Sequence, residues 1–171
     1  MNGKKLIIKG KHNVDNLLFY KKDHIKTNAV ENDIMHEEAL SLLFCLNKDL
    51  DESLNKKAWR EIQDKINGYK NQDQRKDIHN PDSLITTLEV RTKLLDSFLH
   101  CCYCDNRVTF LSRVVRDPEQ WTLDRIDNDK NHSDENTVIS CLKCNLKRRC
   151  IKKEHFEFSQ NLNIVKLDKK L

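Results

Sequence analysis

HCCYC at residues 100–104 and CLKC at residues 141–144 are the two stretches that decide the fold. Each contains a Cys-x-x-Cys pair, Cys101 with Cys104 and Cys141 with Cys144, and 36 residues separate the pairs. Two intervening residues let one tight turn aim both sulfurs at a single ion, and two such turns complete a tetrahedral four-thiolate shell. The sequence therefore predicts one structural zinc ion held by these four cysteines.

The expected cellular compartment supports metal rather than disulfides. The amino terminus has too short an apolar run for a signal peptide, and no stretch of about 18 apolar residues could span a membrane. We therefore expect an intracellular protein, cytoplasmic or nuclear and not secreted, whose thiols stay reduced. Seven cysteines in such a compartment favour metal binding. Cys45, Cys102 and Cys150 are not expected to be ligands, and His100 is expected to have a side role, although it could replace a thiolate.

Residues 99–152 predict a small domain built around the zinc ion. After the first cysteine pair come a short strand near 108–111, a second strand at 121–126, a polar loop at 127–136 and a third strand at 137–140. The second cysteine pair then opens a basic helix. This order of knuckle, strands, knuckle and helix predicts a zinc-stabilised ββα arrangement.

The preceding residues predict helices and no chemistry. Apolar residues share one helical face over 35–46 and again over about 54–69, and a third helix starts at a capping box in which Glu89 follows Thr86 by three positions. The polar run at 71–82 is predicted to be a loop. The apolar stripe of the third helix is expected to consist of Leu88, Leu94, Leu95 and Phe98.

The fold class that follows is α+β, with a mainly helical amino-terminal region before the zinc-bound domain. The 171 residues, 37% hydrophobic and 34% charged, allow a packed core but not a large one. We divide the chain into a basic extension at 1–30 with a short strand at 6–8, a helical region at 31–98, the zinc-bound domain at 99–152 and a basic tail at 153–171.

Basic residues concentrate at the two ends of the chain. Residues 1–30 hold seven Lys against two Asp, and residues 141–171 hold nine Lys or Arg against three acids. This distribution favours contact with a polyanion, although solvated and partly disordered tails would give the same pattern. The helix after the second cysteine pair is expected to neutralise phosphates through six bases without an intervening acid, Lys143, Lys147, Arg148, Arg149, Lys152 and Lys153.

Three segments within residues 99–150 resemble a known family of nucleases. They are LDRID at 123–127, ENTVI at 135–139 and CLKCNLKRR at 141–149. Together they are similar to the HNH, or His-Me finger, endonucleases, and most of all to the zinc-bound variants of phages and large DNA viruses that carry Asp-Arg in place of Asp-His. The resemblance covers under a third of the chain and implies a ββα-metal fold that hydrolyses phosphodiester bonds in DNA.

The resemblance implies a second metal site besides the zinc. In that family an Asp at the end of the first strand and a His or Asn on the helix hold a catalytic divalent cation, and Asp124 and Asn145 match them. Two protein oxygens plus phosphate oxygens and water suit Mg²⁺, with Mn²⁺ as the alternative. The cation would polarise the scissile phosphate and stabilise the leaving oxygen. Asn136 matches the Asn that braces the loop and the catalytic base through backbone hydrogen bonds.

The general base is where the sequence departs from the family. The family's base is a His directly after the Asp, whereas this chain has Arg125, which stays protonated and cannot accept the proton. His132 in the polar loop is the best local candidate, because its ordinary pKa near 6.5 suits the task. Arg125 could instead bind the scissile phosphate through its planar guanidinium.

Three functional hypotheses follow from these residues. The first is a metal-dependent endonuclease acting on DNA, with RNA not excluded as a substrate and no membrane partner. The second is a non-catalytic nucleic-acid-binding zinc module that kept the HNH fold without its general base. The third is a structural or interaction protein in which the zinc knuckles are scaffold only. Asp124 and Asn145 favour the first hypothesis, and Arg125 favours the second.

Overall fold

The computed structural model describes residues 26, 34–46 and 53–160, and within them the chain is an α+β protein. Five helices accompany one two-stranded sheet in these residues. In chain order they are α1 His36–Phe44, α2 Ser53–Arg75, α3 Thr87–Asp96, β1 Trp121–Arg125, β2 Thr137–Cys141, α4 Leu142–Arg148 and α5 Lys153–Gln160. The predicted α+β class is confirmed, and the predicted strands at 121–126 and 137–140 form within one residue of their expected ends.

The two strands form an antiparallel hairpin that leads directly into a helix. Trp121 pairs with Cys141 at one end of the ladder and Arg125 pairs with Thr137 at the other. All five residues of β1 are buried; α4 packs against both strands, and Tyr69 of α2 contacts β1 through a hydrogen bond from Leu123 N–H. Since β2 ends at Cys141 and α4 begins at the next residue, the second cysteine pair lies at the junction between strand and helix.

The amino-terminal helices pack into the same core as the hairpin. Their buried apolar residues include Leu43 of α1, Ile62 of α2 and Leu94 of α3, which belong to one cluster with Trp121 and Leu123 of β1. The α3 helix begins as predicted, because Glu89 N–H donates to Thr86 Oγ1 and Thr86 N–H donates to Glu89 Oε2. Its predicted stripe is only partly right, since Leu88 and Phe98 are exposed whereas Leu94 is buried.

Lys65 of α2 adds a polar contact between the helices and the sheet. Its ammonium group lies 4.4 Å from the centroid of the Trp121 ring and donates to the Trp121 carbonyl oxygen and to Gln120 Oε1. Burial lowers the pKa of Lys65 to about 8. The helical region and the hairpin are therefore joined by cation–π and hydrogen-bonding contacts as well as by apolar packing.

Three local predictions need correction. The α2 helix runs to Arg75, so the loop predicted at 71–82 begins later, because the Asp73 side chain is buried in tertiary contacts that hold the last turn. No strand forms at 108–111, all of them described residues, where only isolated bridges join His100 to Arg107 and Thr109 to Gln120. The tail predicted from 153 begins as α5, which buries Phe156.

Some predictions lie outside the described residues. They are the strand at 6–8, the basic extension at 1–30 apart from Lys26, and the part of the basic tail beyond Gln160. Among the residues that the structure describes, none of the helices combines the length and apolar character needed to cross a lipid bilayer.

Candidate functional site

The four cysteines of the two pairs converge on one point. Their Sγ atoms, on Cys101, Cys104, Cys141 and Cys144, all lie within 4.8 Å of one another, and the Cys104 and Cys141 sulfurs are 4.0 Å apart. Tetrahedral coordination at a Zn–S distance of about 2.3 Å places sulfurs roughly 3.8 Å apart, so the spacing fits such an ion. The predicted four-cysteine cluster is therefore present and could hold a metal ion such as zinc.

The local backbone explains why the sulfurs turn towards each other. Tyr103 N–H lies 3.5 Å from Cys101 Sγ and Cys144 N–H lies 3.4 Å from Cys141 Sγ, so each knuckle donates a backbone hydrogen bond to its first sulfur. The first knuckle closes at Asp105, whose φ of 57° is left-handed and whose N–H donates to the Cys101 carbonyl. These N–H groups would stabilise thiolate charge, as a metal-bound sulfur requires.

Burial and the close approach of the sulfurs shift the pKa of three of these thiols, Cys101, Cys141 and Cys144. Burial raises the pKa of Cys144 to about 12, and a hydrogen bond to the Cys101 sulfur raises the pKa of Cys141. The same bond, donated by Cys141, lowers the pKa of Cys101 to about 4. Four thiolates this close need a compensating positive charge, and a divalent ion would supply it while releasing the remaining protons.

The other cysteines and His100 lie outside this cluster. Cys45, Cys102 and Cys150 are exposed free thiols. His100 Nδ1 lies 2.8 Å from the Phe98 carbonyl oxygen, to which it donates. Within the described residues, the four-cysteine cluster is the only group of three or more His, Cys, Asp or Glu side chains close enough to share one ion.

Asp124 of β1 is buried in a hydrogen-bonded ion pair. Its side chain is 5% exposed. Arg148 Nη1 donates to Asp124 Oδ1 at 2.9 Å and to Oδ2 at 3.0 Å, and the Tyr103 hydroxyl donates to Oδ2 at 2.6 Å. Burial raises the pKa of Asp124, although the bonds from Tyr103 and Arg148 act in the opposite direction. Both carboxylate oxygens are therefore occupied by groups of this chain.

Asn145 of α4 reaches the same junction between hairpin and helix. Its Nδ2 atom donates to Thr122 Oγ1 at 3.1 Å and to the Leu123 carbonyl oxygen at 3.4 Å. The structure thus brings Asn145 next to the residue that precedes Asp124. A carboxylate and an amide oxygen suit Mg²⁺ as a donor set. Because Asp124 already accepts three bonds over its two oxygens, such an ion would compete there with Arg148 and Tyr103.

Arg148 occupies a position that the sequence does not predict. Its charge and neighbours predict a phosphate contact, whereas its side chain is fully buried. Besides its bonds to Asp124, Nη2 donates to the Ile126 carbonyl oxygen at 2.9 Å, and Nε has no hydrogen-bond partner among the described residues. The assignment of Arg148 to the phosphate-binding surface is therefore corrected: the side chain is a buried counterion.

The remaining bases of the predicted surface are mostly open to solvent. Lys143, Lys147, Arg149 and Lys152 are exposed, and Lys147 Nζ donates to Gln160 Oε1 at 3.0 Å. Lys153 is half-buried and lies 3.6 Å from Glu157. Four exposed cations on α4 and the turn after it leave a basic surface of the kind that phosphate groups bind.

Arg125 and His132 meet at a residue that the sequence does not indicate as functional, Asp73 of α2. Arg125 Nη1 lies 3.5 Å from Asp73 Oδ1 and donates to the Lys130 carbonyl oxygen at 3.2 Å. Arg125 is itself buried, so its guanidinium does not face solvent as a phosphate-binding group would.

His132 is held on three sides. Its Nδ1 lies 2.7 Å from Asp73 Oδ1, its backbone N–H donates to Asp73 Oδ2 at 2.8 Å, and its ring stacks on Tyr69 at a centroid distance of 4.6 Å. Because an ionised carboxylate only accepts, Nδ1 is the donor. Burial lowers the pKa of His132, whose side chain is 3% exposed, so the imidazole is neutral at pH 7. A general base must be neutral, but burial and a lowered pKa make His132 a poorly accessible and weak proton acceptor, and therefore a weak candidate for that role.

A sequence signal for Asp73 does exist. Ile62, Ile66 and Tyr69 lie on the buried face of α2, and Asp73 follows Tyr69 by four positions on that same face. An acid that continues an apolar stripe must find a partner when it is buried. Tyr69, on the same face of α2, also contacts the hairpin, because its hydroxyl accepts from Leu123 N–H at 2.9 Å.

Asn136 closes the loop between the strands. Its Oδ1 accepts from Asp127 N–H at 2.9 Å, and its Nδ2 donates to the carbonyl oxygens of Asp127 at 3.0 Å and Asn131 at 2.9 Å. One amide side chain therefore satisfies three backbone groups of residues 127–136. The segment between the strands is fixed from within by these bonds.

Comparisons with known proteins do not assign the chain to a family. No protein-family model matches the chain, and no curated protein or solved structure is significantly similar to it. The resemblance to the HNH endonucleases therefore depends on the quoted sequence motifs alone.

Proposed function

We propose that the chain is a zinc-stabilised, HNH-type endonuclease that binds DNA and hydrolyses its phosphodiester bonds with Mg²⁺ or Mn²⁺. One observation carries the proposal. A short antiparallel hairpin and a helix are joined through two cysteine pairs, with Asp124 of the hairpin and Asn145 of the helix at their junction. This ββα order and these two oxygen-bearing side chains are the features that the resemblance implies.

In the proposed nuclease, different residues would bind DNA, hold the divalent ion and position the loop. Lys143, Lys147, Arg149 and Lys152 would attract the phosphate backbone without reading sequence. Asp124 and Asn145 would hold the divalent ion, which supplies charge stabilisation at the phosphate when it is bound. Asn136 would keep the loop at 127–136 in place beside the strand ends.

A second candidate function is favoured by a specific observation. Arg148 and Tyr103 occupy both oxygens of Asp124, and Arg125, at the position of the family's base, is buried against Asp73. A site whose acid is neutralised by a guanidinium and whose base is absent would bind nucleic acid without cutting it. This alternative is a non-catalytic, nucleic-acid-binding zinc module.

Nicking of supercoiled plasmid DNA separates the two functions. We expect the zinc-loaded protein to nick plasmid only with added Mg²⁺ or Mn²⁺, and Asp124→Ala and Asn145→Ala to abolish nicking while zinc content and DNA binding persist. Asp64→Ala, an exposed acid of α2, is the matched control and should cut normally. Binding without cutting under either ion would establish the second candidate, and cutting by both site variants would contradict the assignment of the site.

A further inference from the structure

One carboxylate of the helical region holds three groups of the hairpin and its loop. Asp73 is fully buried in the last turns of α2. It accepts from His132 Nδ1 and from His132 N–H, and Arg125 Nη1 lies beside the oxygen that the imidazole contacts. A single side chain from outside the ββα unit thus contacts both the end of β1 and the middle of the following loop.

That loop borders the surface that would face nucleic acid. Asn128 Nδ2 donates to the carbonyl oxygen of Arg149, so the loop contacts the turn that ends α4 at 3.2 Å. Lys130 of the same loop is 71% exposed. The position of residues 127–136 therefore determines how the end of β1, which carries Asp124, is presented beside the basic surface.

Replacing the carboxylate by an amide removes more than a charge. A carboxylate can accept from all three groups at once, whereas an amide offers one oxygen and turns its nitrogen, a donor, towards one of them. Arg125 would also lose its only anionic contact among those described, and an unpaired buried charge is costly. Other contacts remain, because Ile85 N–H donates to the His132 carbonyl oxygen and Lys93 pairs with Asp134. The loop is therefore expected to shift rather than to unfold.

We infer that Asp73 is a positioning residue of the proposed nuclease. Through His132 and Arg125 it fixes the 127–136 loop and the end of β1 in the geometry that cleavage requires. The inference rests on the proposed function and extends it, because it makes the helical region part of the cutting site. It also gives His132 a role, which is to connect Asp73 to the loop at 127–136.

The test compares Asp73→Asn with Asp64→Asn, an exposed acid on the same helix, in the zinc-loaded full-length chain. At a temperature where both variants are folded, we expect kcat for plasmid nicking to fall about 10- to 100-fold in Asp73→Asn, since a displacement of about 1 Å can cost that much. KM and DNA affinity should stay within about twofold of wild type, because the basic surface is unchanged. Amide exchange of residues 127–136 should accelerate in Asp73→Asn alone.

A double variant separates positioning from simple stabilisation. If Asp73 acts through His132 and Arg125, then Asp73→Asn should lower kcat by a smaller factor in a His132→Gln background than in the wild type, whereas independent structural effects would multiply. His132→Gln alone should reproduce the loss in kcat. If Asp73→Asn does not fold, His132→Gln replaces it as the test of the inference.

Each outcome decides a different point. Wild-type kcat in Asp73→Asn or in His132→Gln would overturn the inference and leave the proposed function intact. Unchanged amide exchange across the loop in Asp73→Asn would also overturn it. A wild-type protein that never cuts would remove the proposed function, and with it any positioning role in cleavage.

Discussion

Replacing Arg148 by Met tests the buried ion pair that most affects the interpretation of Asp124. Methionine matches the Arg148 side chain only as far as Nε, so it removes the guanidinium carbon and both Nη atoms, and with them the two bonds from Nη1 to the carboxylate and the bond from Nη2 to Ile126. Asp124 would keep only the bond from Tyr103. Because the pair is almost completely buried, water cannot replace the missing guanidinium without a local opening of the structure.

The expected magnitude follows from the burial. Removing one partner of a buried ion pair costs about 3–5 kcal/mol in free energy of unfolding, since the other charge is left uncompensated. For a chain of this length such a loss lowers Tm by roughly 6–20 °C. Lys147→Met, the neighbouring exposed position on α4, should change the free energy of unfolding by less than about 0.5 kcal/mol. Arg148→Met should cost much less in an Asp124→Asn background, because no buried anion then remains.

Urea unfolding followed by circular dichroism measures these differences. The buffers should be free of added divalent ions but contain no strong chelator, so that any metal ion bound by the four cysteines is retained. Mg²⁺ or Mn²⁺ should then stabilise Arg148→Met more than the Arg148→Met/Asp124→Asn double variant, because a divalent ion can replace the guanidinium at Asp124. A loss of stability under about 1 kcal/mol in Arg148→Met would refute the reasoning about the pair. Equal stabilisation of both variants would refute a divalent site at Asp124.

Three further predictions concern the zinc, the basic surface and His132. Cys104→Ser should abolish stoichiometric zinc binding and the amide protection of the hairpin, whereas the exposed Cys102→Ser should retain both, as metal analysis and hydrogen exchange will show. Replacing Lys147 and Arg149 by Gln should flatten the log–log salt dependence of DNA affinity by about one unit for each phosphate that the variant no longer neutralises, and an unchanged slope would place the DNA surface elsewhere. Burial lowers the pKa of His132 in the folded state to about 4, so between a pH of about 6.5 and about 4 the folded chain binds fewer protons than the unfolded chain and loses stability as the pH falls. The free energy of unfolding, measured by urea unfolding at several pH values, should depend less on pH in His132→Gln than in the wild type. The same pH dependence in both proteins would contradict the lowered pKa of His132.

Features fixed by neighbours in sequence were predictable. The spacing in each cysteine pair aims both sulfurs inward, and the capping box at Thr86 and Glu89 sets the start of α3 within one turn. The strands around Leu123 and Ile139 are short and apolar, and they form where they are expected. In each case the structural cause lies within about four residues of its effect.

Structural features that depend on partners far away in the chain could not be predicted from the sequence. The charge of Arg148 predicts a phosphate contact, but its place one turn beyond Asn145 turns it towards Asp124, and only the packed structure shows this pairing. Asp73 lies in a polar run that resembles a loop, and its partner His132 is 59 residues away in the chain. Tertiary pairing of a buried charge overrides local polarity, which is why this helix extends beyond its predicted end.

The zinc K-edge X-ray absorption spectrum of the purified chain tests the central claim most directly. The four-cysteine cluster lies where the hairpin meets the α4 helix, and it could hold one metal ion such as zinc. We expect one zinc per chain with four sulfur neighbours at about 2.3 Å and no nitrogen or oxygen bound directly to the metal. A chain without zinc, or a spectrum that requires light-atom ligands at about 2.0 Å, would contradict the account.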